Sequence, residues 1–314
     1  MLRGTVVLLL LSLNLMFWGT LVLLLSLFKL VAPAGVVRRR VVLLLVALGE
    51  RWVEGNNRIV GSFLPIQWEI EGIDGLRRDA RYLIFANHIS WADIFVVFRA
   101  LHRRVAFIRF FIKQELIWLP LVGQAAWAME FPFMKRYSAD YLARNPEKRG
   151  KDLETTRRAC ERYRLIPVAI LNFLEGTRFT LDKHAEQDSP YRYLLRPRAG
   201  GAAFVLASLG DQLDGVLDLT IAYPGHVITA WQFISGRVPL VRVRVRQLQV
   251  PQEMLGAVVA EPGAARDRLK AWIHEVWMEK DRFLESAVSA AGDTERFPAR
   301  PSPPTPTPGP PRQK

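Results

Sequence analysis

The stretch Tyr82-Leu-Ile-Phe-Ala-Asn87-His88-Ile-Ser90-Trp91-Ala-Asp93-Ile-Phe-Val decides how this chain folds. It opens as an apolar run, Tyr82 to Ala86, bounded by polar residues and short enough for a buried strand. It closes as a helix, with apolar residues at Ile94, Val97, Phe98 and Leu101. Asn87, His88 and Asp93 stand at or just past the junction. Open α/β sheets bind their ligands beyond the carboxyl ends of the strands, which is where this order places His88. An unperturbed imidazole is neutral at pH 7, so one ring nitrogen can accept a proton. A carboxylate on the other nitrogen fixes the tautomer and stabilises the imidazolium that forms. His88 and Asp93 fit those two roles. Ser90-x-x-Asp93 also fits a capping box, in which Asp93 only satisfies backbone donors and His88 makes a local hydrogen bond.

A second motif follows the same plan. Ile166 to Leu174 is an apolar run that reads as a central strand, and Glu175-Gly176-Thr177-Arg178 follows directly. Glycine at that point lets the backbone turn tightly and approach a ligand. Arginine offers a planar fork suited to phosphate. Glu175 is placed to hold that arginine or a backbone group. Taken alone, the motif also fits a turn with a surface ion pair. A strand-His-x4-Asp-helix unit combined with strand-Glu-Gly-Thr-Arg is far more specific than either.

The remaining segments fill out an α/β pattern. Ile66 to Gly72 alternates and reads as an exposed strand; Val105 to Phe110, Ala126 to Phe133 and Val216 to Tyr223 are further strand candidates. Lys113 to Pro120 reads as a short helical stretch, and Asn145 to Arg164 as an exposed amphipathic helix carrying the only cysteine, Cys160. Thr180 to Pro190 reads as a polar loop, and Ala202 to Leu209 as a small-residue helix. In Leu240 to Arg246, Val241, Val243 and Val245 are expected to face the core, and Arg242, Arg244 and Arg246 to face solvent or an anionic membrane. Ala264 to Leu284 has helical apolar spacing. The remaining histidines, His102, His184, His226 and His274, have no metal-site spacing and read as surface or helix residues. Asp211, Asp214 and Asp218 read as a solvated turn. Trp91, Trp118 and Trp127 suit the core or a membrane interface.

The formal net charge of +13 over 314 residues favours an anionic partner, and a single cysteine excludes an intrachain disulfide framework. From Thr5 to Leu27 the run is long and apolar enough to cross a membrane and lacks a clean signal-peptide cleavage site. Arg38-Arg39-Arg40 follows, which by the positive-inside rule places the next domain in the cytoplasm. Val41 to Leu48 is too short to span; a single span, two helices or an interfacial hairpin all satisfy residues 1–48. The expected division is a membrane anchor over 1–50, a catalytic domain over 62–288 and a disordered proline-rich tail over 289–314.

With these motifs in place, the chain resembles the glycerolipid acyltransferase family (PlsC-like), of the 1-acylglycerol-3-phosphate acyltransferase type. Within it the similarity is closest to a YihG-like bacterial inner-membrane branch, and more distant to lysocardiolipin-acyltransferase-like enzymes. Asn87 to Asp93 looks like the family's first block, Lys113 through Gly123 to Lys135-Arg136 like the second, and Phe173 to Arg178 like the third, with Leu174 where many relatives have proline. The fourth, usually a strand with a Val-Pro step, is matched only loosely by Asp218 to Pro224. The resemblance implies a mixed, mostly parallel sheet flanked by helices, behind a membrane helix or helix pair. It implies His88 as general base and Asp93 as its orienting group. Arg136 and Arg178 would clamp the acceptor phosphate, and Glu175, Gly176 and Thr177 would shape that pocket. It implies acyl transfer from acyl-CoA or acyl carrier protein to a lysophospholipid at the anionic cytoplasmic face of a bacterial inner membrane, with no metal and no cofactor. The competing readings are a non-catalytic protein of the same fold that binds anionic lipid or a partner, and a nucleic-acid binder. Charge alone suggests the latter, and no recognition motif supports it.

Overall fold

Alternating and continuous apolar runs assemble one sheet with packed layers on both faces. The structure is a computed structural model and describes residues 1–33, 35–134, 144, 163, 166–224, 228–256, 259 and 263–289. Its strands are β1 (Gln67–Glu71), β2 (Tyr82–Ala86), β3 (Ile108–Phe110), β4 (Ile112–Lys113), β5 (Phe133–Met134), β6 (Ala169–Phe173), β7 (Gly215–Ala222) and β8 (Leu240–Leu248). The main sheet has six strands in the order β1-β8-β7-β2-β6-β3. All pairings are parallel except β7 with β8. β4 and β5 form a separate parallel pair. The α/β expectation, a mixed and mostly parallel sheet, holds.

Strand alternation distributes the core. Tyr82, Ile84 and Ala86 of β2 join Leu217, Leu219 and Ile221 of β7 in the cluster that also contains Val7, Leu45 and Val97. Leu83 and Phe85 face the opposite way, into a cluster with Leu206 and Trp277. The helices concerned are α1 (Leu2–Val31), α2 (Val36–Phe63) and α3 (Asp93–Leu101) on the first face, and α6 (Ala199–Leu209) and α8 (Ala264–Ser289) on the second. The short helices are α4 (Val122–Ala128), α5 (Leu181–Glu186) and α7 (Ala230–Ile234).

Residues 2–63 form a helical hairpin. α2 runs unbroken from Val36 through the apolar stretch at 41–48 to Phe63. Asn14 of α1 donates to Trp52 O and to Asn56 Oδ1 on α2, each at 2.9 Å. One row of α1, Gly4, Val7, Leu11, Gly19, Val22, Ser26 and Lys29, is buried. Gly4 lies against Trp231 and Ser235 beside α7, and Gly19 against Leu121 before α4. Lys29 Nζ donates to Ala128 O at 2.7 Å, pairs with Glu130 at 3.2 Å, and lies 5.5 Å from the Trp127 ring. The helix is therefore fastened along its length to the domain. Its other rows expose Leu9, Leu13, Met16, Phe17, Leu24, Leu27 and Phe28. Within the described residues α1 is long and apolar enough to cross a membrane.

Several sequence expectations are corrected here. Ala126 to Phe133 is not a strand: α4 ends at Ala128, and only Phe133 and Met134 are extended. Glycine and alanine in this stretch allow close packing, and Gly123 sits directly on the carbonyls of Leu116 and Ile117. The polar segment after Arg178 contains α5, whose first turn is capped by Thr180 Oγ1 accepting from Lys183 N. Asp218 lies in β7, fully buried, not in a solvated turn. The arginine face of β8 is covered by α8. Arg242 pairs with Glu69 at 2.5 Å, Arg244 stacks 4.2 Å from the Phe283 ring, and Arg246 pairs with Asp218 at 2.7 Å and with Glu279. His184 lies on α5, in keeping with the helix alternative, and is buried rather than at the surface, with Nε2 2.6 Å from Tyr191 O. Of the two placements open to Trp91 and Trp118, only the core is excluded, since they are 61% and 83% exposed. Cys160, His226, the expected helix over Asn145 to Arg164 apart from Tyr163, and the proline-rich tail lie outside the described residues.

Gly72 ends β1 at φ +74, and a Cβ there would collide with Val245 O of β8. Gly72→Ala is therefore expected to lower stability by about 2 kcal/mol or more, because the left-handed backbone and the contact are penalised together. Thermal unfolding in detergent, with Gly75→Ala as the uncrowded positive-φ comparison, checks this: the Gly72 variant should melt lower.

Candidate active site

The two sequence motifs meet because their strands are neighbours in register. Ala86 of β2 is the partner of Phe173 of β6, so His88 and Glu175, each two residues further on, emerge side by side. His88 N donates to Glu175 Oε1, and Leu195 N to Glu175 Oε2, each at 3.4 Å. Phe179 N donates to His88 O at 2.7 Å, tying the ends of the motifs together. The imidazole stacks on the Phe173 ring at 4.1 Å between centroids. On the other side, Asn87 exchanges two 2.9 Å hydrogen bonds with the backbone of Ile221 in β7. The three strand ends are thus fixed to one another at the histidine.

Asp93 opens α3 and is fully buried. Its Oδ2 lies 2.8 Å from His88 Nδ1 and accepts from Ile89 N at 2.6 Å and Ser90 N at 2.9 Å. Its Oδ1 accepts from Tyr223 Oη at 2.7 Å. The capping box itself is not formed, since Ala92 is the N-cap, Asp93 is the first helical residue and Ser90 Oγ accepts from Ala92 N at 3.3 Å; the Asp93 carboxylate nevertheless accepts from two backbone donors and also contacts the imidazole. With Nδ1 carrying the proton toward Asp93, His88 Nε2 has a free lone pair on a partly exposed ring.

Tyr223 had no role in the sequence reading. The apolar strand it follows gave a packing signal only, and its link to Asp93 spans 130 positions. Burial pushes its phenol well above the ordinary range, and the charge and hydrogen bond of Asp93 push the same way, so it stays a neutral donor. Burial also pushes the Glu175 carboxyl well up, opposed by the backbone N–H groups of Leu195 and His88. Glu175 thus holds backbone groups; it is not paired with Arg178.

Gly176 takes φ +69 and turns the chain. Arg178 is exposed, its guanidinium carbon 5.1 Å from the centre of the Trp91 ring, so the first motif's tryptophan carries the second motif's arginine. Lys183 Nζ donates to Thr177 Oγ1 at 2.7 Å. Arg136 lies outside the described residues.

This arrangement defines a class: an α/β protein with a buried carboxylate, an oriented imidazole and a cationic turn at the carboxyl ends of adjacent parallel strands. A family model described as Acyltransferase matches residues 67–224, and the chain belongs to that family. Lysocardiolipin acyltransferase 1 of Danio rerio is 28% identical over 259 residues, covering 75% of this chain and 62% of the relative. The 1-acyl-sn-glycerol-3-phosphate acyltransferase epsilon of Mus musculus is 22% identical over 227 residues, covering 64% and 56%. The chain spans about three fifths of the length of the curated relatives it matches. In fold it is similar to the crystal structure of the 1-acyl-sn-glycerophosphate acyltransferase PlsC of Thermotoga maritima. The TM-score is 0.53 at 16% identity, covering 91% of this chain and 98% of that one.

Proposed function

We propose that this protein is a membrane-bound acyltransferase that moves a fatty acyl group from a thioester, acyl-CoA or acyl carrier protein, to the free hydroxyl of a lysophospholipid. The proposed acceptor is 1-acyl-glycerol-3-phosphate and the product phosphatidic acid. The observation that carries the reading is the chain Tyr223–Asp93–His88 beside the Glu175–Arg178 turn. His88 Nε2 removes the hydroxyl proton as the oxygen attacks the thioester carbonyl. The tetrahedral intermediate expels the thiolate, which recovers the proton from the imidazolium. Asp93 stabilises that imidazolium, and Tyr223 and two backbone amides stabilise Asp93. Arg178, carried on Trp91, holds the acceptor phosphate together with Arg136, while Glu175, Gly176 and Thr177 shape the pocket. Positioning of this kind is worth about 7–11 kcal/mol of a barrier.

The outward apolar rows of α1 suit lipid, and Arg38 to Arg40 suit the anionic cytoplasmic leaflet, here of a bacterial inner membrane. The proposed division is an anchor over residues 1–50, a catalytic domain over 62–288 and a tail from 289.

The test is transfer of label from acyl-CoA or acyl carrier protein to lysophosphatidic acid by isolated membranes. Labelled phosphatidic acid is expected. Failure with both donors across a panel of lysophospholipids favours a non-catalytic lipid-binding role. For Tyr223→Phe, kcat is expected to fall about tenfold with KM unchanged, the loss of one hydrogen bond to a buried charge. An unchanged kcat removes Tyr223 from the proton-transfer chain.

A further inference from the structure

We propose that Lys183 and Arg198 form a second anion subsite beside Arg178, which takes a second phosphoryl group of a substrate. The proposal rests on the acyltransferase reading for the identity of that substrate, although the subsite itself can be tested without turnover.

Three cationic side chains lie around one turn. Arg178 belongs to it. Lys183 Nζ donates to Thr177 Oγ1 at 2.7 Å and to Arg178 O at 3.3 Å. Arg198 is tied by its backbone N–H to Leu174 O at 2.7 Å, and its side chain crosses Gly176. A Cβ at Gly176 would stand 3.4 Å from Arg198 Cδ and 3.6 Å from both Nε and Nη1. An added methyl would meet this side chain in ordinary van der Waals contact, so Arg198 lies close over the turn, and it is the φ of +69 that calls for glycine.

Among the described residues, no carboxylate lies within ion-pair distance of Arg178, Lys183 or Arg198. Four arginines elsewhere on the domain are matched, Arg77 with Asp214, Arg78 with Glu50, Arg242 with Glu69 and Arg246 with Asp218, while Arg196 is held by the carbonyls of Gln187 and Asp188. Like charges held close together repel, so an uncompensated cluster suits an anion that arrives from outside. A phosphate monoester carries about −1.5 to −2 at pH 7, and one guanidinium can grip it by two oxygens. Arg178, Lys183 and Arg198 together carry more positive charge than one such group neutralises. Lys183 is also pre-oriented, since Thr177 and Arg178 O take two of its three N–H groups and the third is left for a ligand. The second phosphoryl group can come from the headgroup of an acceptor with two phosphates, which 1-acyl-glycerol-3-phosphate is not, or from the nucleotide part of a CoA donor.

The test is isothermal titration of the full-length protein in detergent with inorganic phosphate and with pyrophosphate. The wild type is expected to bind pyrophosphate more tightly than phosphate. Arg198→Gln and Lys183→Met are each expected to weaken pyrophosphate binding about tenfold, one charge-assisted hydrogen bond, and to leave phosphate binding nearly unchanged. Arg178→Ala should weaken both ligands, and Arg198→Lys and Lys183→Arg should restore most of the pyrophosphate affinity. Pyrophosphate binding by Arg198→Gln and Lys183→Met at wild-type strength overturns the subsite, whether or not the protein transfers acyl groups. The source is then read from steady-state kinetics of the same variants. A higher KM for lysocardiolipin, an acceptor with two phosphates, but not for lysophosphatidic acid, which has one, supports the subsite and places it at the headgroup, whereas a higher KM for lysophosphatidic acid puts both residues on the phosphate held by Arg178 and rejects it. A higher KM for acyl-CoA but not for its dephospho analogue supports it and places it at the donor. A fall in kcat with both KM values and the pyrophosphate affinity unchanged marks the two residues as structural only and rejects the proposal.

Discussion

His88→Ala is expected to lower acyl transfer by about 10²- to 10⁴-fold, the range of a lost general base. The imidazole makes no bond that the fold depends on beyond its contact with Asp93 and its stacking on Phe173. Asp93 keeps Ile89 N, Ser90 N and Tyr223 Oη when the ring is removed. The variant should therefore remain folded and membrane-associated, and the loss should appear in kcat rather than in the KM for either substrate. His88→Gln, which retains polarity but cannot shuttle the proton, should be as inactive as the alanine variant. Radiolabelled acyl transfer in membranes carrying equal amounts of each protein measures both, and activity within threefold of wild type would take His88 out of the mechanism.

Lys280→Met is expected to cost about 3 kcal/mol or more of stability, through loss of one partner of a buried ion pair. Lys280 on α8 is completely buried and lies 2.6 Å from the equally buried Asp218. It also donates to Leu219 O at 2.8 Å and to Thr220 Oγ1 at 3.1 Å. Burial pulls its pKa down, and the Asp218 carboxylate, first among the opposing influences, holds it up. Truncation leaves Asp218 to Arg246 alone, 2.7 Å away, which places the expected cost at the lower end for a broken buried pair. At about 2–4 °C per kcal/mol for a domain of this size, the melting temperature should fall by roughly 6–12 °C. The double variant Asp218→Leu with Lys280→Met should recover much of that loss, because the stranded charge is gone. A melting temperature within 2 °C of wild type in the single variant would mean that the pair is solvated.

The periodicity of the chain determined most of the elements. The run Tyr82 to Ala86 has one reading as a buried strand, and Ile94 to Leu101 one as a helix, because burial on both faces and on one face leave different patterns. The pairing of His88 with Asp93 was equally local, since five residues bridge a strand end and the first helical turn. Tertiary structure decided what is remote in sequence. The polarity of Arg242, Arg244 and Arg246 suggested a solvated face, whereas α8 covers that face and supplies Glu279 and the Phe283 ring. Asp218 looked like part of a solvated turn because its partner Lys280 lies more than sixty positions away. Tyr223 reaches Asp93 only when β7 pairs with β2, and Glu175 reaches His88 only through the register Ala86 to Phe173. Side-chain spacing records which face of an element is apolar, but strand order and register arise from packing of the whole core, and that packing placed the second motif, the tyrosine and the cations around Gly176 beside the histidine.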